Sequence, residues 1–527
     1  MKRKATWLQF RANAKANPLR TRIEDDSFLN DPIQGVAKLP SELNQLVALV
    51  QEKWENCADV QYQHLLVERV PICVVFINGL IDQDSAQRGL MESLTRYQGE
   101  NVTVEALRNA LMTMITETTA QISSVFRAVA DGKAVVLVDG QNEALVVDVN
   151  KLPGRGIETS QNEPTIQGPQ EAFIESLQTN LALMRKRLRT PKLKVQTMRV
   201  GAETGTQLAM VYLEGIVKPT LVDEAKKRLN RIQIDGVTAA NQVREMIADA
   251  PWSPFRLTEV TERPDRAIAG LLQGRMCLLI DGDPAAISIP AVFVNGLISG
   301  EDYYGHFMVS VPLRLLRHAM YWMSLLLPSL YIALLSYNQD LVPTPLLISL
   351  EAQHEGIPFP TVVEALGMQT AFEALREAGV RLPKAIGQSV SIVGALVIGD
   401  AAVNANIVSP GMVIIVAAAG VASYTIPSQD LVNANRILQY PFMIVASLLG
   451  LYGIVALGLM MVIHMVSLRS FGVPYMAPLA PFYSGEMRDT FVRAPWWAMN
   501  RRPQLYEPVD STRNRTPKPS PPSEGSS

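Results

Sequence analysis

From about Ala319 to Leu468 the chain is apolar enough to sit in a bilayer, and it follows a longer stretch in which short apolar runs alternate with polar segments. Ala319–Tyr337 offers enough apolar residues to cross a hydrocarbon core as a helix. Gln388–Ala405 and Val408–Ile426 read as two further spans joined at Asn406-Ile407. Ile437–Leu468 is long and glycine-punctuated, fit for one tilted or one broken span. Between the first and second spans, Val342–Leu350 is too short to cross. Thr361–Gly379 is helix-like but carries Glu364, Glu373, Arg376 and Glu377. Such charges are tolerated when buried in protein, lining water or lying in the interface.

Asp400 lies within the otherwise apolar Ile392–Val403. A carboxylate there should face a cavity, a pore or a partner helix; a polar helix–helix contact with no transport role carries equal weight. The small residues Gly394, Ala395, Gly399, Ala401, Ala402 and Ala405 allow close helix packing.

The head contains an internal repeat. Ile72-Cys73-Val74-Val75-Phe76-Ile77-Asn78-Gly79 is answered by Ala209-Met210-Val211-Tyr212-Leu213-Glu214-Gly215, with the glycines 136 positions apart. Ala134-Val135-Val136-Leu137-Val138-Asp139-Gly140 is answered by Met276-Cys277-Leu278-Leu279-Ile280-Asp281-Gly282, at an offset of 142. Uninterrupted Val/Ile/Leu runs are expected of strands buried on both faces. Helical segments are expected at Thr103–Ala130, Glu171–Leu188 and Pro219–Leu229. The Asp-Gly pairs read as tight hairpin turns rather than metal ligands.

The predicted fold is an α/β cytoplasmic head of two tandem α/β subdomains followed by an α-helical transmembrane domain. The boundaries are a polar arm 1–40, subdomain 1 at 41–155, a linker and helix 156–199 and subdomain 2 at 200–300. The membrane domain follows at 301–482, with a re-entrant or interfacial segment 342–379, and then a partly disordered cytoplasmic tail 483–527.

Charge changes the picture in two places. Arg314, Arg317 and His318 precede the first span and place the head on the cytoplasmic side. The tail, with Arg488, Arg493, Arg501, Arg502, Arg513, Arg515 and Lys518, reads as cytoplasmic too, so the crossings are even in number: four, with six as the alternative. Arg185, Lys186, Arg187 and Arg189, with Lys192 and Lys194, form the head's densest basic cluster, read as a solvated face or as a contact for lipid phosphates or an acidic partner. The whole chain is nearly balanced, 48 basic against 50 acidic residues, which argues against nucleic-acid binding. The amino-terminal stretch has no continuous apolar core and does not read as a signal peptide.

Candidate chemistry is sparse. Cys57, Cys73 and Cys277 are widely spaced, and buried reduced thiols are expected. No phosphate-binding loop, HExxH or CxxC pair occurs, and the five histidines, His64, His306, His318, His354 and His464, are scattered singly. No enzyme activity, metal site or cofactor is expected.

Several stretches carry a recognisable pattern. In the helical half they are Ile357-Pro358-Phe359-Pro360, Val363-Glu364-Ala365-Leu366, Glu373 through Lys384, Ile392 through Gly399, and Ser470-Phe471-Gly472-Val473-Pro474-Tyr475. In the head they are Gly168-Pro169, Thr179 through Arg185, Ser253-Pro254-Phe255 and Glu262-Arg263-Pro264-Asp265. Together they resemble the A subunit of GerA-type nutrient germinant receptors of endospore-forming bacteria, over roughly residues 40–485. The resemblance implies a multi-pass protein of the spore inner membrane that works with a transporter-like B subunit and a lipoprotein C subunit. It also implies a homo-oligomer, thought in the family to form a cation-conducting ring that acts when nutrients bind. A non-conducting scaffold for germination proteins, or the paralogous branch associated with dipicolinate release, are the alternatives.

The chain departs from the family pattern at three positions. Gln369 stands where a glutamate is usual, and Gly399-Asp400-Ala401-Ala402-Val403-Asn404-Ala405 moves the acidic group from 404 to 400, one helical turn away on the same face. Glu364, Glu373, Asp400 and Asn404 are therefore the polar-path candidates.

Overall fold

A computed structural model describes residues 38–99, 101–150, 163, 165, 167–381 and 399–520. Most of the expected amino-terminal arm and of the linker, residues 388–398 of the expected second span, the family-like stretches at 382–384 and 392–398 and the last seven residues of the tail lie outside the described residues.

The head contains two five-stranded sheets of the same strand order. The first is built from β1 (Val60–Val67), β2 (Val70–Ile77), β3 (Thr116–Thr119), β4 (Ala134–Val138) and β5 (Ala144–Val147), in the order β1-β2-β4-β5-β3. The second uses β6 (Leu193–Val200), β7 (Thr206–Leu213), β8 (Glu259–Thr261), β9 (Met276–Ile280) and β10 (Ala286–Ile289), in the order β6-β7-β9-β10-β8. The repeated apolar runs are β2 and β7, then β4 and β9, and each Asp-Gly pair leads into the next antiparallel strand.

Both faces of the first sheet are covered. Cys73, Val75, Ile77, Val135 and Leu137 pack under α1 (Leu43–Lys53) and α3 (Ile122–Ala130). The alternate residues Ile72, Val74, Val136 and Val138 pack under Leu90, Leu94 and α2 (Val104–Ala110). Alternation on a two-sided core explains why neither strand shows a polar residue. The expected continuous helix Thr103–Ala130 is interrupted: Thr116-Glu117-Thr118-Thr119 pairs with β5 as an edge strand. Three β-branched threonines favour the extended backbone there. The expected helix Glu171–Leu188 is shorter, starting behind the Ser176 cap as α4 (Leu177–Arg187). All three cysteines are free and buried.

The chain divides into two compact units. One holds the first sheet with Ser176–Thr197 and Ala209–Glu214, and the other holds the rest. In the second unit α5 (Pro219–Asn230), α6 (Ala240–Ile247) and α7 (Pro264–Leu272) precede a helical bundle of α8 (Phe307–Ser336), α9 (Thr344–His354), α10 (Thr361–Arg381), α11 (Pro410–Tyr424) and α12 (Gln429–Ser467). One apolar core runs through this unit, joining Phe255, Leu257 and Phe293 to Tyr321, Leu325, Met412, Phe442 and Met443.

Among the described residues two helices are long and apolar enough to cross a membrane, Phe307–Ser336 and Gln429–Ser467. Four crossings were expected. Pro410–Tyr424, at 15 residues, reaches only ~22 Å, short of the ~30 Å hydrocarbon core. α12 is broken at Gly450, whose φ of +59° and ψ of −143° leave the helix. On either side of the break Leu448, Leu449, Tyr452, Val455, Leu459, Met460 and Ile463 are all exposed, an apolar surface of the kind that lipid or a partner covers.

Candidate functional site: a polar seam within the helical bundle

Polar side chains from three helices meet inside the bundle. Ser324 comes from α8, Gln369 and Glu373 from α10, and Asn435, Arg436 and Gln439 from α12. Ser324, Gln369, Asn435 and Gln439 are all buried. A four-residue spacing places Gln369 with Glu373, and Asn435 with Gln439, on one helix face each.

Asn435 Nδ2 donates to Ser324 Oγ at 2.9 Å and to the Tyr321 carbonyl at 3.3 Å. Gln439 Nε2 donates to the Ser324 carbonyl, and Gln439 Oε1 accepts from Gln369 Nε2 at 2.7 Å. Gln369 also reaches Glu373 at 3.4 Å, and Glu373 closes the chain as an ion pair with Arg436. A buried amide left unpaired is costly, so the contacts lock the three helices in register. They also account for the departure at 369. A glutamine donates N–H to both Gln439 and Glu373, whereas a glutamate would set a second carboxylate beside Glu373.

Glu364 heads a second group. Its fully buried side chain accepts the Ser409 N–H at 2.8 Å and lies 3.4 Å from His354 Nε2. Ser409 Oγ accepts the Met412 N–H, and Gln353 Oε1 accepts the Gly411 N–H at 3.1 Å. Three side chains thus satisfy the first N–H groups of α11, where the helix dipole favours negative charge.

Of the four polar-path candidates, Glu364 and Glu373 are committed to these internal contacts. Asp400 and Asn404 instead lie exposed on the helical turn that ends at Asn406, whose φ is +51°. Asp400 has no ion-pair partner among the described residues.

The charges that flank the first span are also engaged. Arg314 is fully buried, with Nε 3.1 Å from Asp302 Oδ2 and Nη1 3.1 Å from Asp489 Oδ1. Arg317 shares Asp302, and the Tyr303 hydroxyl donates to Asp489 at 2.9 Å. Burial pushes the Asp489 carboxyl above its ordinary range, against the lowering effect of Arg314. Arg244 and Asp430 add an ion pair of 2.7 Å from α6 to the first turn of α12.

The basic cluster of the first unit requires a correction. Arg185 is not part of a solvated face: it is 1% exposed and grips Asp59 with two bonds, 2.7 and 2.9 Å. Its guanidinium also lies 5.3 Å from the Trp54 ring centre. Lys194 is buried, bonding the Lys53 carbonyl and Glu214. Lys186 and Arg187 are half-buried, and Arg189 is exposed with Asp131 3.3 Å away.

Ser324, Asn435, Arg436 and Gln439 were not among the candidates read from sequence. A span begun at Ile437 excludes Asn435, whereas the helix starts at Gln429. The available signal was the Asn435/Gln439 pair, four residues apart at the edge of an apolar run.

The chain from residue 48 to 505 matches the family model described as Bacillus/Clostridium GerA spore germination protein. Three relatives are similar over most of their length. The uncharacterized membrane protein YfkQ of Bacillus subtilis is 40% identical, over 93% of this chain and 95% of that protein. Spore germination protein KA of the same organism is 39% identical, over 85% and 82%. Spore germination protein GerLA of Bacillus cereus is 36% identical, over 83% and 90%. A solved structure, the N-terminal domain of the A subunit of the Bacillus megaterium spore germinant receptor GerK3, matches at 27% identity and a TM-score of 0.40, covering 49% of this chain and 98% of that one. The chain belongs to the GerA family of spore germination proteins.

Proposed function

We propose that the chain is the membrane A subunit of a nutrient germinant receptor, and that several copies surround a wet passage releasing cations when the germinant binds. It works with a transporter-like B subunit and a lipoprotein C subunit in the spore inner membrane, head and tail on the core side. The role asks for no covalent chemistry.

The observation that carries this reading is the exposure of Asp400 and Asn404 beside an apolar stretch, while Glu364 and Glu373 are satisfied within the chain. A carboxylate facing acyl chains is expensive. Neighbouring copies that enclose Asp400 around water relieve that cost. The exposed apolar surface of α12 supports the lipid-facing side of the same arrangement.

The test is cation flux from liposomes holding the purified chain. Flux from the unaltered protein that falls with Asp400→Asn is expected. A non-conducting scaffold is the second reading, favoured by the hydrogen bonds that tie the seam together within one chain, and it predicts no flux from either protein.

A further inference from the structure

Where α8 begins, the second unit forms a half-open cavity of about 740 Å³, within the range of small-ligand sites. Six arginines line it: Arg266, Arg275, Arg488, Arg501, Arg502 and Arg513. Three of them are already spent. Arg266 and Arg275 both hold Glu259, at 2.7 and 2.6 Å, and Arg502 holds Asp510 at 2.8 Å. Arg488, Arg501 and Arg513 make no ion pair among the described residues, although Arg513 is near enough to Asp489 to oppose the rise of its carboxyl, and the first two are exposed.

The acids in the same wall are committed. Asp489 binds Arg314, Asp265 binds Arg263 at 2.7 Å, and Glu486 accepts the backbone N–H groups of Gln504 and Leu505. The charge left over in the cavity is therefore positive. Two apolar side chains in the wall face solvent, Phe482 at 70% exposure and Trp496 at 47%, and the Arg513 guanidinium lies 5.2 Å from the Trp496 ring centre.

Depth matters as well. Asp489 in the wall is bonded to Arg314, which precedes the apolar run from Ala319 by five residues, or ~7.5 Å of helix. If α8 crosses a bilayer, the cavity lies at the level of the headgroups, where aromatic residues and arginines collect.

We propose that this cavity binds a phosphate-bearing anion through Arg488, Arg501 and Arg513. Guanidinium groups suit the site because their forked donors match phosphate oxygens in pairs. The chemistry is shared by two sources, an anionic phospholipid headgroup and a soluble phosphate ester. Phe482 and Trp496 complement the glycerol and upper acyl region of a lipid. The lipid source rests on α8 crossing a membrane; recognition of phosphate does not.

The experiment uses the full chain in nanodiscs of phosphatidylcholine with and without phosphatidylglycerol, and native mass spectrometry to count retained lipid. In parallel, sn-glycerol 3-phosphate is titrated into the phosphatidylcholine sample. Retention of phosphatidylglycerol about tenfold above phosphatidylcholine, lost in the triple variant Arg488→Gln, Arg501→Gln, Arg513→Gln, is the expected result. Arg199→Gln, an exposed arginine outside the cavity, should leave it intact. Saturable glycerol phosphate binding, lost in the triple variant and without lipid preference, assigns the soluble source and supports the same chemistry. If the triple variant melts below the unaltered chain, the exposed Arg488→Gln alone serves in its place, with a partial loss expected. No preference for phosphatidylglycerol together with no binding of glycerol phosphate overturns the proposal. So does a folded triple variant that keeps both, or an equal loss in Arg199→Gln.

Discussion

Gln369 on α10 donates its amide N–H to Gln439 Oε1 on α12 at 2.7 Å, and Gln439 in turn donates to the Ser324 carbonyl on α8. One buried glutamine pair therefore ties three helices. Gln369→Leu should destabilise the chain by about 1–3 kcal/mol, because it leaves Gln439 Oε1 buried without a donor. Gln369→Leu with Gln439→Leu should cost less than the sum of the single changes. Denaturant unfolding of the four proteins in detergent measures the coupling, and strict additivity would show that the contact does not form.

Glu364→Gln and Glu364→Leu should part company. The introduced amide oxygen still accepts the Ser409 N–H, and its NH₂ can donate to His354 Nε2, since His354 Nδ1 faces the Leu350 carbonyl and must itself donate. Leucine orphans the start of α11 and should cost about 1–3 kcal/mol. Equal melting temperatures for the two variants would contradict this account of the helix start.

Arg185→Met should unfold the first unit far more readily than Arg189→Met. Arg185 is buried against Asp59, and removing one partner of a buried pair costs about 3–5 kcal/mol. Arg189 is exposed, and its contact with Asp131 should contribute less than ~1 kcal/mol. Limited proteolysis of residues 38–150 compares the two directly.

Acid should loosen the second unit through Glu259. Burial alone would raise its carboxyl, but Arg275 and Arg266 outweigh burial and hold it below the ordinary range. The folded state thus binds this proton less readily than the unfolded chain. The stabilisation is complete above the unfolded value of about 4.3 and is lost as pH falls through the lower folded value. Glu259→Gln should flatten that part of the stability profile while lowering stability at neutral pH. Unfolding curves between pH 7 and 3 read both effects, and an unchanged acid slope would count against the ion cluster.

Legibility varied with how far each signal depended on partners. The repeat could be read because two-sided burial leaves β2, β4 and β9 apolar throughout, with Val, Ile and Leu predominant. β3 was hidden because an edge strand of Thr-Glu-Thr-Thr has no apolar face of its own to announce it. Arg185 read as surface charge because its partner, Asp59, lies 126 positions earlier in sequence. Glu364 and Glu373 stood out as charges in a greasy region, whereas Asn435 and Gln439 carry no charge, one lying just before the span as it was recognised and the other in its first turn.

The break at Gly450 has a mechanical consequence. Its positive φ interrupts α12, and the freed N–H of Leu451 is taken by the Asn338 side chain, just beyond the end of α8. A Cβ at 450 would lie 2.8 Å from the Tyr337 Cβ, so the neighbouring chain is seated directly against the joint. Shifting the end of α8 alone would strand a backbone donor in an apolar setting. Any bend at this joint must therefore drag the preceding helix along, turning two rods into a linked lever.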